Sequence, residues 1–352
     1  MAYTTINKST DYFNTLTYTG TGSSGTKTGV GFQPDWTWIK ARNNTTWHHL
    51  YDAVRGAGSE KEIFSNSNDQ EGAGDTAAYG YLSAFTSDGF STVMGSNTGS
   101  DSLNKSGTNF VAWNWKANGA GSANSDGATA STVSVNTTAG FSIVKYTGTG
   151  SQTTVGHGLG VVPDMMIIRN LSSTEDWSVY HSANGVGKYQ ALNTTEAASS
   201  NNNRFNVAPT SSVFTVNTHD SVNKNGDNHI AYCFASKTGY SKFGSYIGNG
   251  NSDGTFVYTG FKPAFFLLKR SNTTQKWILL DNKREGYNSK NDQLYPNAND
   301  VEGDGENWFD IVSNGIKFRN GDNEHNGSGD TYIYMAFGQS LVGSNNIPCT
   351  AR

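Results

Sequence analysis

The sequence predicts an all-β protein: three tandem antiparallel β-sandwich, jelly-roll-like domains of about six short strands each. Three observations carry that prediction. Of 352 residues 41 are Gly and only 6 Pro, with 12% aromatic and 15% charged. Such a chain fills its interior with rings and branched side chains suited to strands, and turns itself with Gly, Asn and Ser. Four landmarks also recur three times in one order, at a domain-sized interval rather than the 20–50 residues of a solenoid. Finally, no segment sustains a helical period; TAAYGYLSAF (76–85) comes nearest, and Gly80 interrupts it.

The first landmark is YTGTG at 18–22 and 146–150, with YIGNG at 246–250. A phosphate-cradling Gly-x-Gly needs a following helix N-terminus, and here a strand follows, so the motif reads as a hairpin or bulge turn. Pro34, Pro163 and Pro263 come next and open the runs PDWTWIKARN, PDMMIIRNLS and PAFFLLKRSN. Both pleat faces of these runs are apolar, which predicts a strand covered on both sides, with Lys40, Arg169 and Lys269 marking its exit to solvent. Trp47, Trp177 and Trp277 form the third column, and a recurring Trp of this kind reads as core. The terminal strand alternates, with Val111, Trp113 and Trp115 matching Ile230, Tyr232 and Phe234, then Ile333, Met335 and Phe337. LNKSG (103–107) and VNKNG (222–226) ahead of it read as hairpin-type turns.

The domains run 1–117, 140–238 and 239–352, the Gly/Ser/Asn-rich stretch 118–139 serving as a linker. Only KTGY (237–240) separates the last two, so these are expected to touch. The sequence leaves open whether the three stand as beads or pack into one body.

Composition also excludes function classes. A net charge of -4, carried by scattered single residues, offers no basic patch for nucleic acid. MAYTTINKST has neither the charged nor the apolar region of a signal peptide, and no apolar stretch is long enough for membrane insertion. Cys233 and Cys349 stand alone, giving neither a disulfide framework nor a zinc site, and Cys233 reads as packing. The seven His show no HxH or HExxH, so no metal site and no cofactor are expected. The Asp/Asn/Gly loops 248–254 and 297–306 are where Ca²⁺ would fit best, but without EF-hand spacing they read as solvated turns.

Two kinds of candidate residue remain. Asp52 and Arg55 recur as Asp281 and Arg284, while repeat 2 replaces both together, by His181 and Asn184. Joint replacement is what a structural ion pair predicts, because a lone charge at a partly buried turn is costly. The aromatics peculiar to one repeat, Tyr51, Tyr79, Tyr81, Tyr287, Tyr295 and Trp308, are the candidates for stacking on a sugar or anchoring a partner. For catalysis, Glu60, Glu62, Asp69, Glu71, Glu175, Asp176, Glu302 and Glu306 include no pair recurring between repeats, and no nucleophile motif exists. A non-enzymatic protein is expected.

With these motifs laid out, the chain resembles a repeat family of tail-associated and structural virion proteins of bacteriophages, especially marine ones. Repeat 3 carries this most clearly, in FGSYIGNGNSDGTFVYTGFKPAFFLLKRSN, KWILLDNKREGYN, LYPNANDVEG, FDIVSNGIKFR and GDTYIYMAFGQ. The first two repeats are similar through GVGFQPDWTWIKAR and NFVAWNWKA, and through HGLGVVPDMMIIRN and HIAYCFA. The resemblance implies lectin-like sandwich folds and a virion protein at the tail or capsid exterior. It also implies contacts with other virion proteins and recognition of a host-surface polysaccharide during adsorption. Presentation as a homo-oligomer would strengthen weak sugar contacts. Two alternatives are a purely structural capsid-decoration or tail-assembly protein and a glycan depolymerase. No catalytic residue comes with the resemblance.

Overall fold

The computed structural model describes residues 4–99, 102–284, 288, 292–303 and 307–341, and there the chain is all-β with antiparallel sheets. Each repeat builds one main sheet in the same spatial order: opening strand, terminal strand, Pro strand, following strand. In repeat 1 these are Phe13–Thr19, Asn109–Trp115, Trp36–Ala41 and His49–Asp52. In repeat 2 they are Phe141–Thr147, Asn228–Phe234, Met165–Asn170 and Ser178–His181. Repeat 3 uses Ser241–Ile247, Thr331–Gly338, Pro263–Arg270 and Trp277–Asp281. A smaller sheet completes each repeat, for example Gly25–Thr28, Gly89–Val93 and Tyr81–Thr86 in repeat 1.

The two faces of the main sheets have different fates. One face packs within its own repeat, as where Ile39, Ala112 and Phe110 meet Leu82 and Phe90. The other enters a single core shared by all three repeats, which joins Trp36, Trp38 and Trp115 to Phe141, Ile167 and Phe234 and to Phe265, Leu267 and Phe337. Ring contacts cross every boundary: Trp36 stacks on Tyr232 at 4.4 Å, Phe13 on Phe337 at 5.1 Å, and Phe234 meets Phe337 edge-on at 6.2 Å. The three repeats therefore form one packed body, because one apolar face of each main sheet is covered by the other two repeats.

The YTGTG motif clamps the opening strand to the loop ahead of the terminal strand. Tyr18, Tyr146 and Tyr246 donate their hydroxyls to the carbonyls of Leu103, Val222 and His325 at 2.8, 2.6 and 2.8 Å. The next residues in the chain, Asn104, Asn223 and Asn326, are fully buried and accept the N–H of Thr21, Thr149 and Asn249. A Cβ on the first glycine would lie 2.0 to 2.3 Å from a backbone oxygen of that loop in all three repeats, so only Gly fits. LNKSG and VNKNG are thus receptors for this clamp rather than hairpin turns.

Two further expectations are corrected. Within 118–139, Ser122–Asn124 and Ser131–Asn136 are strands that extend repeat 2's main sheet beyond its opening strand. The small polar residues around Val133 hide an alternation that pairs it with Val144. Lys40, Arg169 and Lys269 do not leave for solvent; all three are fully buried. Their heads satisfy backbone carbonyls instead: Lys40 reaches Ala41 and Asn44, Arg169 reaches Glu175 and Asp69, and Lys269 reaches Arg270 and Thr195. Burial pushes Lys40 down to about 8, Arg169 to about 10 and Lys269 to about 7.

The shared core is closed by hydrogen bonds that link the terminal strand of each repeat to the turn of the preceding one around the ring. Trp113 Nε1 of repeat 1 donates to Asp281 of repeat 3 at 2.9 Å, and the Tyr232 hydroxyl of repeat 2 donates to Asp52 of repeat 1 at 2.8 Å. The matching residue of repeat 3 is Met335, which has no proton to give. There the direction of donation reverses. His181 Nδ1 accepts from the Ala183 N–H, so Nε2 carries the proton and donates to the Tyr334 carbonyl at 3.1 Å.

This accounts for the joint replacement in repeat 2. Asp52 and Asp281 each accept a neighbour's donor and also hold their arginine, Arg55 or Arg284. Glu71 and Glu302 back those arginines. Burial works against the charged Arg55, and Asp52, Tyr232 and Glu71 together more than offset it, leaving its pKa above the ordinary value. His181 takes no carboxylate's place in charge, so no arginine is needed, and Asn184 bonds neutrally to Gln190 at 3.1 Å.

Candidate functional site

Strand register shows where the repeats differ. Asp52 lies opposite Trp36, His181 opposite Met165 and Asp281 opposite Phe265. Four residues back from each stand His48, Trp177 and Trp277, so His48, not Trp47, shares the inner column. Trp177 Nε1 donates to the Phe64 carbonyl at 2.9 Å and Trp277 Nε1 to the Ala191 carbonyl at 2.8 Å, each in the preceding repeat. His48 accepts from Trp38 Nε1 at 2.9 Å through Nδ1, and its other side interacts with the Tyr295 carbonyl more loosely than the indoles do. The surplus residue, Trp47, is expelled to the surface. It is 40% exposed and edge-on to Phe64 at 4.8 Å.

Trp47 stands at the rim of a cavity of about 530 Å³ that is built by repeat 1. Tyr79, also 40% exposed, lines it too, on the short helix Thr76–Tyr79. Asp75 caps that helix by accepting the Ala78 N–H, and Gly80 ends it with φ 76°. Ser96, Asn97 and Ser102 dock on the helix by donating their N–H groups to the carbonyls of Ala77, Ala78 and Tyr79, which fixes the Tyr79 backbone. A Cβ on Gly95 would fall 2.1 Å from the Ala78 oxygen, so this contact requires Gly.

The wall of the cavity is polar and undersatisfied. Thr46 Oγ1, both ring nitrogens of His49 and Glu62 Oε2 are buried and have no hydrogen-bond partner among the described residues. Glu62 Oε1 accepts the Gly74 N–H at 3.0 Å. Burial pushes His49 down to about 3, assisted by Lys40, and lifts the Glu62 carboxyl to about 7. Near neutral pH the wall therefore presents an uncharged imidazole and a carboxyl close to half-protonated, both able to donate and to accept. Each unmade bond at a buried polar group costs about 1–3 kcal/mol, and a ligand that supplied partners would recover part of it.

A second cleft, of about 520 Å³, opens where the three repeats meet. Its lining comes from repeat 1 at Asn66 and Asn68, repeat 2 at Asp176 and Asn193, and repeat 3 at Asn297 and Asn299. Asn66, Asn193 and Asn297 are equivalent. They accept the N–H of His48, Trp177 and Trp277 at 2.9, 3.0 and 2.9 Å. Sequence reading missed this triplet, although FSN (64–66), ALN (191–193) and YPN (295–297) carry it.

Among the described aromatic candidates, only Tyr79 lines either cleft. Tyr51 is fully buried in the repeat 1 core, which corrects its assignment as a contact residue. Tyr81 packs against that same core. Tyr295 and Trp308 pack against the repeat 3 core, Tyr295 beneath Lys276 and Trp308 beside His325. Tyr287 lies outside the described residues. In the two Asp/Asn loops, Asp253 pairs with Lys317, Asp300 with Lys276, and Glu302 with Arg42 and Arg284. No cluster of three or more His, Cys, Asp or Glu able to hold a metal occurs among the described residues.

The fold and clefts define an all-β triple-repeat protein whose three main sheets share one interior. A family profile described as a domain of unknown function, DUF7483, matches residues 8–340 in one span through all three repeats, and the chain belongs to that family. No curated protein and no solved structure matches it.

Proposed function

We propose that this chain is a non-enzymatic glycan-binding component of a bacteriophage virion, and that it holds sugar in the repeat 1 cavity. One observation carries the glycan reading: two exposed rings, Trp47 and Tyr79, stand at the cavity whose wall keeps four buried polar atoms without partners. A sugar offers both complements, C–H faces for the rings and hydroxyls that donate and accept. The virion reading rests on the motif resemblance of repeat 3. A glycan array with purified protein, run beside a polysaccharide-cleavage assay, tests both parts of the binding claim. The expected outcome is binding without cleavage, weakened about tenfold or more by Trp47→Ala. Cleavage would make the protein a depolymerase, and binding indifferent to Trp47→Ala would move the site elsewhere.

A purely structural virion role is the second reading. Ile247, Phe256 and Tyr258 of repeat 3 are 64%, 44% and 55% exposed, and Phe256–Tyr258 is an edge strand. Silence on the array, together with loss of incorporation into particles when Phe256 and Tyr258 become Ser, would favour it.

A further inference from the structure

We infer that the repeat 1 cavity and the cleft between the repeats are two ends of one binding groove, so that the ligand is a linear oligosaccharide crossing Trp47 rather than a single sugar. This rests on the glycan reading above. Trp47 lines both clefts, standing between about 530 Å³ on one side and about 520 Å³ on the other. Among the described residues it is the only aromatic one in the lining of the second cleft, whose other walls are mostly Asn, with Asp176, Ser67 and Thr194. A ring flanked by two polar clefts suits a chain of sugars, one residue stacked on the indole and its neighbours hydrogen-bonded on either side.

The inner cleft is also preformed. Asn66, Asn193 and Asn297 commit their side-chain oxygens to the backbone N–H groups of His48, Trp177 and Trp277, which fixes the direction of each amide Nδ2. Asn193 Nδ2 is itself committed to Asp176 at 2.7 Å. Beneath the rim, buried Arg169 and Lys269 grip the carbonyls of Asp69 and Thr195, the residues directly after Asn68 and Thr194 of the lining. Loops held this way lose little entropy when a ligand arrives. Only repeat 1 releases a Trp at this position. Asp176 and Lys276 occupy it in the other repeats, so the groove has one arm, not three.

The test measures affinity against chain length, using linear gluco-, manno-, galacto- and N-acetylglucosamine oligosaccharides from mono- to hexasaccharide. It compares the native chain with Asn68→Trp and Asn299→Trp, which fill the inner cleft at exposed positions, and with Tyr79→Ala in the repeat 1 cavity. The expected result is that the native chain binds a hexasaccharide about tenfold or more tighter than its monosaccharide. The cleft-filling variants should lose that gain and keep monosaccharide affinity, whereas Tyr79→Ala should weaken both. Equal affinity at every length, or cleft-filling variants that bind like the native chain while Tyr79→Ala binds weakly, would overturn the groove and leave the cavity reading standing. Binding of none of these sugars would overturn both.

Discussion

Repeats 1 and 2 each carry a tryptophan at the entrance to the following strand, and the two residues have opposite fates. Trp177 is fully buried and bonds to a neighbouring repeat, while Trp47 stands 40% exposed between two clefts. The difference is one residue of register: repeat 1 places His48 in the inner column and leaves Trp47 outside. Divergence by a single position leaves the shared core its polar inward contact and places a large ring at the surface. The same letter in the same motif is structural in one copy and a candidate binding residue in the other.

The largest effects should fall on the inner column. Trp177→Ala is expected to cost about 3–5 kcal/mol in denaturant unfolding, whereas Trp47→Ala should stay within about 0.5 kcal/mol. Similar costs at the two sites would dissolve the comparison. Asp52→Ala strands buried Arg55 and the Tyr232 hydroxyl, and should also cost about 3–5 kcal/mol. His181→Ala, at the neutral version of the same turn, should cost only about 1–3 kcal/mol.

A smaller, pH-dependent effect sharpens the contrast between these turns. Burial holds His181 at about 4 in the folded chain, below its ordinary 6.5, so between those values the unfolded chain binds the extra proton. Its contribution to stability is therefore full above pH 6.5 and falls as pH drops toward 4. His48 and His49 act in the same direction, each lowered by burial. Glu62 opposes them: raised to about 7, its contribution is present below its ordinary 4.5 and is lost as pH rises through 7. Thermal melts between pH 4 and pH 7 should show stability falling with acid, with a shallower slope for His181→Gln. An unchanged slope would remove His181 from the account.

Much of the fold was legible because repetition served as an internal alignment. The Pro strands and the terminal strands fell where their patterns place them, and the Asp–Arg pairs were found from their joint absence in repeat 2, whereas YTGTG, read as a hairpin or bulge turn, joins strands that belong to different sheets. What was not legible depends on neighbours distant in sequence. Lys40, Arg169 and Lys269 look like strand exits until the other repeats cover them. The strand Ser131–Asn136 hid among small polar residues. Trp47 was read as core because letters were aligned without counting strand register, and its exposure, like the Asn66, Asn193 and Asn297 triplet, emerges only when the three copies are wrapped around one interior.

That wrapping is the central claim, and cooperativity of unfolding tests it most directly. Calorimetry of the whole chain should show a single transition, and fragments 1–117, 140–238 and 239–352 expressed alone should lack fixed tertiary structure. Three separate transitions, or fragments that each fold and melt on their own, would contradict it.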